Sequence, residues 1–203
     1  MTTDTARDQK HQRAMAKQKS AVDAGIAAAT EERGVAVLLT GDGKGKTSSA
    51  FGMVLRALGY GQQVAVIQFI KGVQLSGEEM YLRDQCPQVH FYQMGTGFTR
   101  DTQDRQADIA AAQTTWEVAL EALQDESIDL VVLDEITYML AFDYLPEAEV
   151  LTAIQERPNQ QSVVVTGRGG GSALRDIMDT VSEVKEIKHA YRAGVSARRG
   201  VDY

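Results

Sequence analysis

Cysteine is almost absent. Cys86 is the single thiol in 203 residues, so no internal disulfide can form and a cysteine-based zinc site has no ligand set to draw on. That usage fits a reducing compartment. Basic charge is also in deficit: 21 Lys and Arg stand against 28 Asp and Glu, for a formal net charge of -7. Such a balance argues against a general nucleic-acid binder, which shows a basic surplus or stripe. It leaves room for a local cationic pocket, because a pocket needs only a few placed donors. No apolar run approaches the roughly 20 residues that span a bilayer. The opening MTTDTARDQKHQRAMAKQK lacks the apolar core of a signal peptide. The expectation is a cytoplasmic protein with neither membrane nor nucleic acid among its partners.

The composition that remains is globular, 43% hydrophobic and 24% charged, enough for one domain with a substantial core and short for two. Residues 1–33 differ from the rest, being rich in Lys, Arg, Gln and Ala. There Met15, Val22, Ile26 and Ala29 recur at helical spacing as a thin apolar stripe. The reading is an N-terminal helical extension over 1–33, either solvated or packed on a partner chain or ligand, followed by an α/β domain over 34–203.

From Gly34 the pattern alternates. Strands are expected at Val35–Thr40, Val64–Phe69, Val89–Tyr92, Leu130–Asp134 and Ser162–Thr166, with a sixth at Val181–Ile187. Helices are expected at 102–123, 146–156 and 172–179, and after the first strand a helix with Phe51, Val54, Leu55 and Leu58 on one face and Gly59 as its stop. Strands apolar on both sides, alternating with helices, predict a doubly wound, mostly parallel sheet covered on both faces.

The strongest local signal is Gly41-Asp42-Gly43-Lys44-Gly45-Lys46-Thr47, set between a strand and a helix. Phosphates need several donors converging at close range. Glycines let backbone N–H groups turn inward, and the following helix adds its positive end. Lys46 would reach the phosphates as a mobile charge, Thr47 would ligate Mg²⁺, and Ser48 extends the loop. Thr40 stands where the usual pattern has its first glycine, so the loop reads one residue short. Leu130–Asp134 followed by Glu135 supplies an acidic partner, since a buried strand ending in carboxylates places them at the carboxyl edge where ligands bind. Either Asp134 or Glu135 is the direct metal ligand. The residues alone leave three classes open: a phosphoryl-transfer enzyme, an ATP-driven motor and a nucleotide-dependent binding module.

Other polar and aromatic residues carry plainer readings. His90 alternates with apolar neighbours in a strand, and His189 is as readily structural as substrate-facing. His11 lies in the terminal helix. Cys86 is a small buried residue, and Trp116 belongs with Ile109, Leu120 and Leu123 to a core stripe.

Segments beyond the loop narrow the classes. TGDGKGKTSSAFGMVLRALGYG (40–61), FIKGVQLSGE (69–78), MGTGFTRDTQDR (94–105), VVLDEITYMLAFDYLP (131–146), VVVTGRGG (163–170) and KHAYRAGVSARRGVDY (188–203) occur in one order. With them the chain resembles the P-loop type ATP:corrinoid adenosyltransferases over nearly its full length. The resemblance implies transfer of the 5′-deoxyadenosyl group of ATP to the cobalt of a reduced corrinoid, with release of triphosphate, in adenosylcobalamin synthesis or salvage. It implies ATP and Mg²⁺, a cobalamin- or cobinamide-type substrate, a reduced flavoprotein as electron donor and a homodimer whose N-terminal helix helps cover the partner's site.

By the same resemblance Lys44, Arg56 and Arg168 join the loop as ATP contacts. Phe98 stands at a position where the family places an aromatic ring beneath the corrin, removing the lower axial ligand of cobalt. The family's usual tryptophan two residues later is Arg100 here, whose planar guanidinium stacks on a delocalised ring but lacks the same apolar bulk. Lys46, Phe98 and Arg100 are thus the expected catalytic residues. A P-loop ATPase or kinase, and a non-catalytic carrier of corrinoid or nucleotide, are the rival readings.

Overall fold

A computed structural model describes residues 2–70, 75–95 and 104–203. The chain divides into two units, Met1–Glu32 and Arg33–Tyr203. The first is one helix, α1 (Thr2–Ala28). Its apolar side chains are too few to form a buried face: Met15, Val22 and Ile26 are all exposed. The Lys19 and Asp23 side chains pair at 2.6 Å one turn apart on its surface.

The second unit alternates strands and helices: β1 (Ala36–Thr40), α2 (Lys46–Gly59), β2 (Val64–Gln68), α3 (Gly77–Gln85), β3 (His90–Gln93), α4 (Arg105–Gln124) and β4 (Leu130–Asp134). There follow α5 (Ile136–Ala141), α6 (Glu147–Glu156), β5 (Ser162–Thr166), α7 (Gly171–Ile177), β6 (Thr180–Glu183) and a 3-10 turn at Ala190–Ala193. The strands form one sheet in the order β3-β2-β4-β5-β1-β6, and every pairing is parallel.

The alternation along each central strand explains the two covered faces. Leu38, Ile67, Val131 and Leu133 point into one core cluster with Trp116, Ile136 and Ile154. Leu39, Val66, Leu130 and Val132 point into the other with Phe51, Val54 and Leu82. The sheet is therefore doubly wound, as the sequence predicts. All the carboxyl ends meet on one edge, and β1 leaves that edge directly into the phosphate loop.

Several boundaries differ from the expectation for physical reasons. Helix α2 ends at Gly59 as expected, but Gly59 is its last helical residue: Tyr60 caps the end with its N–H on Ala57 O, and Gly61 at φ 75° makes the turn. On α2 the buried apolar positions are Ala50, Phe51, Val54 and Ala57, whereas Leu55 is exposed and Leu58 only packs at the margin. The last strand is Thr180–Glu183 rather than Val181–Ile187. Val184 N still donates to Thr40 O at 2.8 Å, but its carbonyl then turns to Gly43 N at 2.7 Å, so the chain leaves the sheet to clasp the loop. The short helices α3 and α5 were not anticipated. Among the described residues no helix is long and apolar enough to cross a membrane.

Candidate nucleotide and corrinoid site

The loop after β1 is shaped by three glycines. Gly41 (φ 99°) and Gly45 (φ 121°) adopt backbone that L side chains avoid. Gly43 is constrained by space instead, since a Cβ there would lie 2.7 Å from Val184 O and 2.8 Å from Lys185 C. Thr40, at the position of the missing first glycine, donates its hydroxyl to Gly169 O at 2.8 Å. It thereby ties the root of the loop to the turn after β5.

Helix α2 begins at Gly45 with no side-chain cap. The contrast with its neighbours is informative. Ser76 Oγ accepts from Glu79 N at the start of α3, and Asp104 accepts from Gln106 N and Ala107 N at the start of α4. The first N–H groups of α2 thus have no side-chain acceptor and face the cavity, which is the arrangement that receives an anion. Lys46, almost buried, donates to Gly43 O at 2.9 Å. Burial lowers its ammonium pKa, with Glu135 opposing the shift and Arg168 adding to it.

Asp134 ends β4 fully inside the protein. Its Oδ1 accepts from Thr166 Oγ1 at 2.7 Å and Thr47 Oγ1 at 3.0 Å, and its Oδ2 from Gln68 Nε2 at 3.0 Å. Burial raises its pKa against those three hydrogen bonds. Glu135 follows at φ 61°, a left-handed conformation that turns the chain sharply into α5, and its N–H donates to Thr166 Oγ1 at 3.0 Å. Burial first, then the Asp134 charge, pushes the Glu135 carboxyl up to about 7. Its Oε2 is buried without a hydrogen-bond partner among the described residues.

These groups open on one cavity of about 890 Å³, within the range of small-molecule and cofactor sites. Its walls bring together Asp42 to Ser48, Asp134, Glu135 and Arg168, so nearly all the sequence-predicted nucleotide and metal residues converge. Gly41 supports the loop from beneath, against Val184. Ser48 Oγ donates to Glu78 Oε1 at 3.3 Å. Arg168 approaches Asp42 at 3.9 Å. Arg56 is not brought in: it lies in the last turn of α2, exposed, about 15 Å along the helix from Lys46. Phe98 and Arg100 lie outside the described residues.

A family model described as ATP:corrinoid adenosyltransferase BtuR/CobO/CobP matches residues 32–203. The chain belongs to this family of corrinoid adenosyltransferases. It is 48% identical over 196 residues to a corrinoid adenosyltransferase of Escherichia coli strain K12, covering 97% of this chain and 99% of the relative. A corrinoid adenosyltransferase of Pseudomonas aeruginosa is 48% identical over 203 residues, with 100% of both chains covered. One from a Sinorhizobium species is 41% identical over 201 residues, covering 97% of this chain and 92% of the relative.

Within this adenosyltransferase the reading from sequence missed Gln68, Thr166 and Asp202. The first two had a signal, being polar residues that end otherwise apolar buried strands, VAVIQ and SVVVT. Asp202 lies in the family-like tail segment 188–203, but its 3.1 Å contact with Lys44 joins positions far apart in the chain and carries no local signal. Trp116 is core, as read, but its Nε1 also donates to Glu149 Oε1 at 2.6 Å. His90 is exposed, and His189 caps the 3-10 turn by accepting from Tyr191 N at 3.2 Å.

Proposed function

We propose that the cavity binds ATP with its triphosphate on the loop and its 5′ carbon facing the corrinoid. As a member of this family the protein is an enzyme that adenosylates corrinoids at the expense of ATP. In the proposed step the Co(I) of the reduced corrinoid substrate donates an electron pair to the 5′ carbon. The cobalt–carbon bond forms, the carbon–oxygen bond breaks, and that bond's electron pair departs with triphosphate. Such a displacement needs no protein nucleophile. It needs positioning, charge stabilisation on the leaving group and exclusion of water.

The observation that carries the reading is the uncapped start of α2 beneath the glycine loop, with Lys46 beside it. The loop N–H groups and Lys46 would hold the triphosphate and take up the charge released on it. Lys44 and Arg168 line the same cavity and would add to that field.

The oxygen donors fit Mg²⁺, whose hard preference suits one or two carboxylates completed by phosphate and water. Thr47 and Asp134 would hold it, with the unpartnered Oε2 of Glu135 beside them. Among the described residues no group of three or more His, Cys, Asp and Glu side chains comes together. When bound, Mg²⁺ would neutralise charge on the phosphates.

Phe98 and Arg100 are proposed to face the corrin, and a reduced flavoprotein to supply the electrons. Residues 1–33 are proposed as a helical extension and 34–203 as the catalytic domain. In a homodimer the exposed Met15, Val22 and Ile26 of one protomer's extension would help close the other's site. The cytoplasm is the proposed location.

The test is anaerobic incubation with ATP, Mg²⁺ and a chemically reduced corrinoid. The expected products are a light-sensitive adenosylated corrinoid and stoichiometric triphosphate. Orthophosphate without triphosphate would overturn the chemistry in favour of an ATPase, and binding of both substrates with no cobalt–carbon bond would indicate a carrier.

A further inference from the structure

Among the described residues, each cation at the mouth of the phosphate loop approaches an internal acceptor, and the acceptors differ in kind. Lys46 uses the loop's own Gly43 carbonyl, and Arg168 stands 3.9 Å from exposed Asp42. Lys44 is held by a residue from outside the loop: its Nζ lies 3.1 Å from Asp202 Oδ1.

That carboxylate is itself fixed. Its Oδ2 accepts from Arg198 N at 2.9 Å, and Asp202 N donates back to Arg198 O at 2.8 Å. Gly200, at φ 76°, turns the hook and donates to Tyr203 O at 2.8 Å. Gly200, Val201, Asp202 and Tyr203 form part of the wall of the same cavity. The Arg198 amide first, then Lys44, holds the Asp202 carboxyl below its usual range, so it is ionised.

We propose that Asp202 is a positioning residue of the nucleotide site, holding Lys44 in the place from which it receives the triphosphate. The inference rests on the reading of this cavity as the ATP site. An ammonium has three donors. One goes to Asp202, and two remain for phosphate oxygens. Lysine carries a long, rotamer-rich stem, and ordering it at the moment of binding costs affinity, which prior ordering by the hook removes. The pair is partly open to solvent, with side chains 43% and 26% exposed. Its own contribution to folding is therefore small, and the effect falls on ATP.

The experiment is a double-mutant cycle with Asp202→Asn, Lys44→Ala and the combined variant. It reads KM and kcat for ATP, equilibrium binding of ATP and thermal unfolding. Asp202→Asn is expected to raise KM about fivefold, the size of one exposed ion pair, with kcat within about twofold and Tm unchanged. In the Lys44→Ala background the same change is expected to do nothing more, because the residue it positions is gone. An unchanged or lowered KM in Asp202→Asn, or effects that simply add, would overturn the proposal. So would a KM rise that only accompanies a fall in Tm, the mark of a structural hook. Failure of the unmodified protein to bind ATP would instead overturn the reading of the cavity.

Discussion

Strand β1 carries the phosphate loop between two unlike neighbours. Four of the five residues of β5 are buried, and all four of β6 are exposed. From the β5 side, buried Thr166 reaches Asp134 and the Glu135 amide, and in the turn just beyond it Gly169 O accepts from Thr40. From the β6 side come the Val184 carbonyl on Gly43 N and, further on, Asp202 on Lys44. One wall of the site is thus also the protein's core, while the other is a thin strap laid over the loop from outside. Changes on the first wall should register in stability, and changes on the second in binding.

The sharpest way to break that contrast is Gly43→Ala. The added methyl would meet Val184 O at 2.7 Å and Lys185 C at 2.8 Å, both backbone atoms. Something must move, and the exposed strap yields more readily than the core. The inward-facing amides then lose their aim at the phosphates. ATP affinity is expected to fall on the order of 10²–10³-fold, comparable to losing an aimed backbone donor. Tm should fall by no more than about 5 °C, read by calorimetry alongside equilibrium binding. A collapse of Tm with little selective loss of binding would show that the strap supports the fold as much as β5 does.

The same division governed what was legible in the sequence. The core wall was readable because its signals are local. Apolar strand runs ending in Asp134 and the Gly41–Thr47 turn between strand and helix announce themselves within a few residues. The doubly wound sheet and the meeting of Lys46, Thr47, Asp134 and Glu135 follow from them. The strap was not readable, because each of its contacts pairs residues with no shared pattern: Val184 with Gly43, Asp202 with Lys44, Asp179 with Ala36. Leu55 misled for a related reason. It lies at helical spacing from apolar neighbours, yet at the edge of the buried arc, where Ala50 and Ala57 pack against the sheet instead. Arg56 was carried by family pattern alone, and helix geometry puts it at the end of α2 away from the loop.

On the core side, Glu135 offers a pH test in the ligand-free protein. Burial and the Asp134 charge lift its carboxyl from 4.5 to about 7 in the fold. A carboxyl raised on folding contributes stability below its unfolded pKa, and that contribution is lost as pH rises through the folded value. Stability should therefore decline between about pH 4.5 and 7. Glu135→Gln imitates the protonated form. It should match the parent at pH 4 and exceed it at pH 8 by about 2 kcal/mol, after allowance for the residue's partial exposure. Denaturant unfolding across that range checks it, and parallel curves for the two proteins would sink the assignment.

The smallest effect is expected where the strap is moored. Asp179 precedes β6 and accepts from Ala36 N at 2.8 Å at the head of β1. Its two oxygens also take Arg33 Nη1 and Nη2 at 2.9 and 2.6 Å. The Arg33 hydrogen bonds first, then the Ala36 amide, hold its carboxyl at about 2. A carboxyl depressed on folding contributes stability above its unfolded pKa of 3.8, and the contribution is lost as pH falls toward the folded value. The pair is partly exposed, 35% and 27% for the two side chains, so solvent screening limits the contribution to about 1 kcal/mol. Asp179→Asn should cost that much at pH 7 and nothing at pH 2, measured by denaturant unfolding. It should leave ATP affinity within about twofold, because Val184 and Asp202 grip the loop from the far end of the strap. A large loss of affinity without a loss of stability would mean that the strap transmits strain from its mooring to the loop, and that the two walls are not independent.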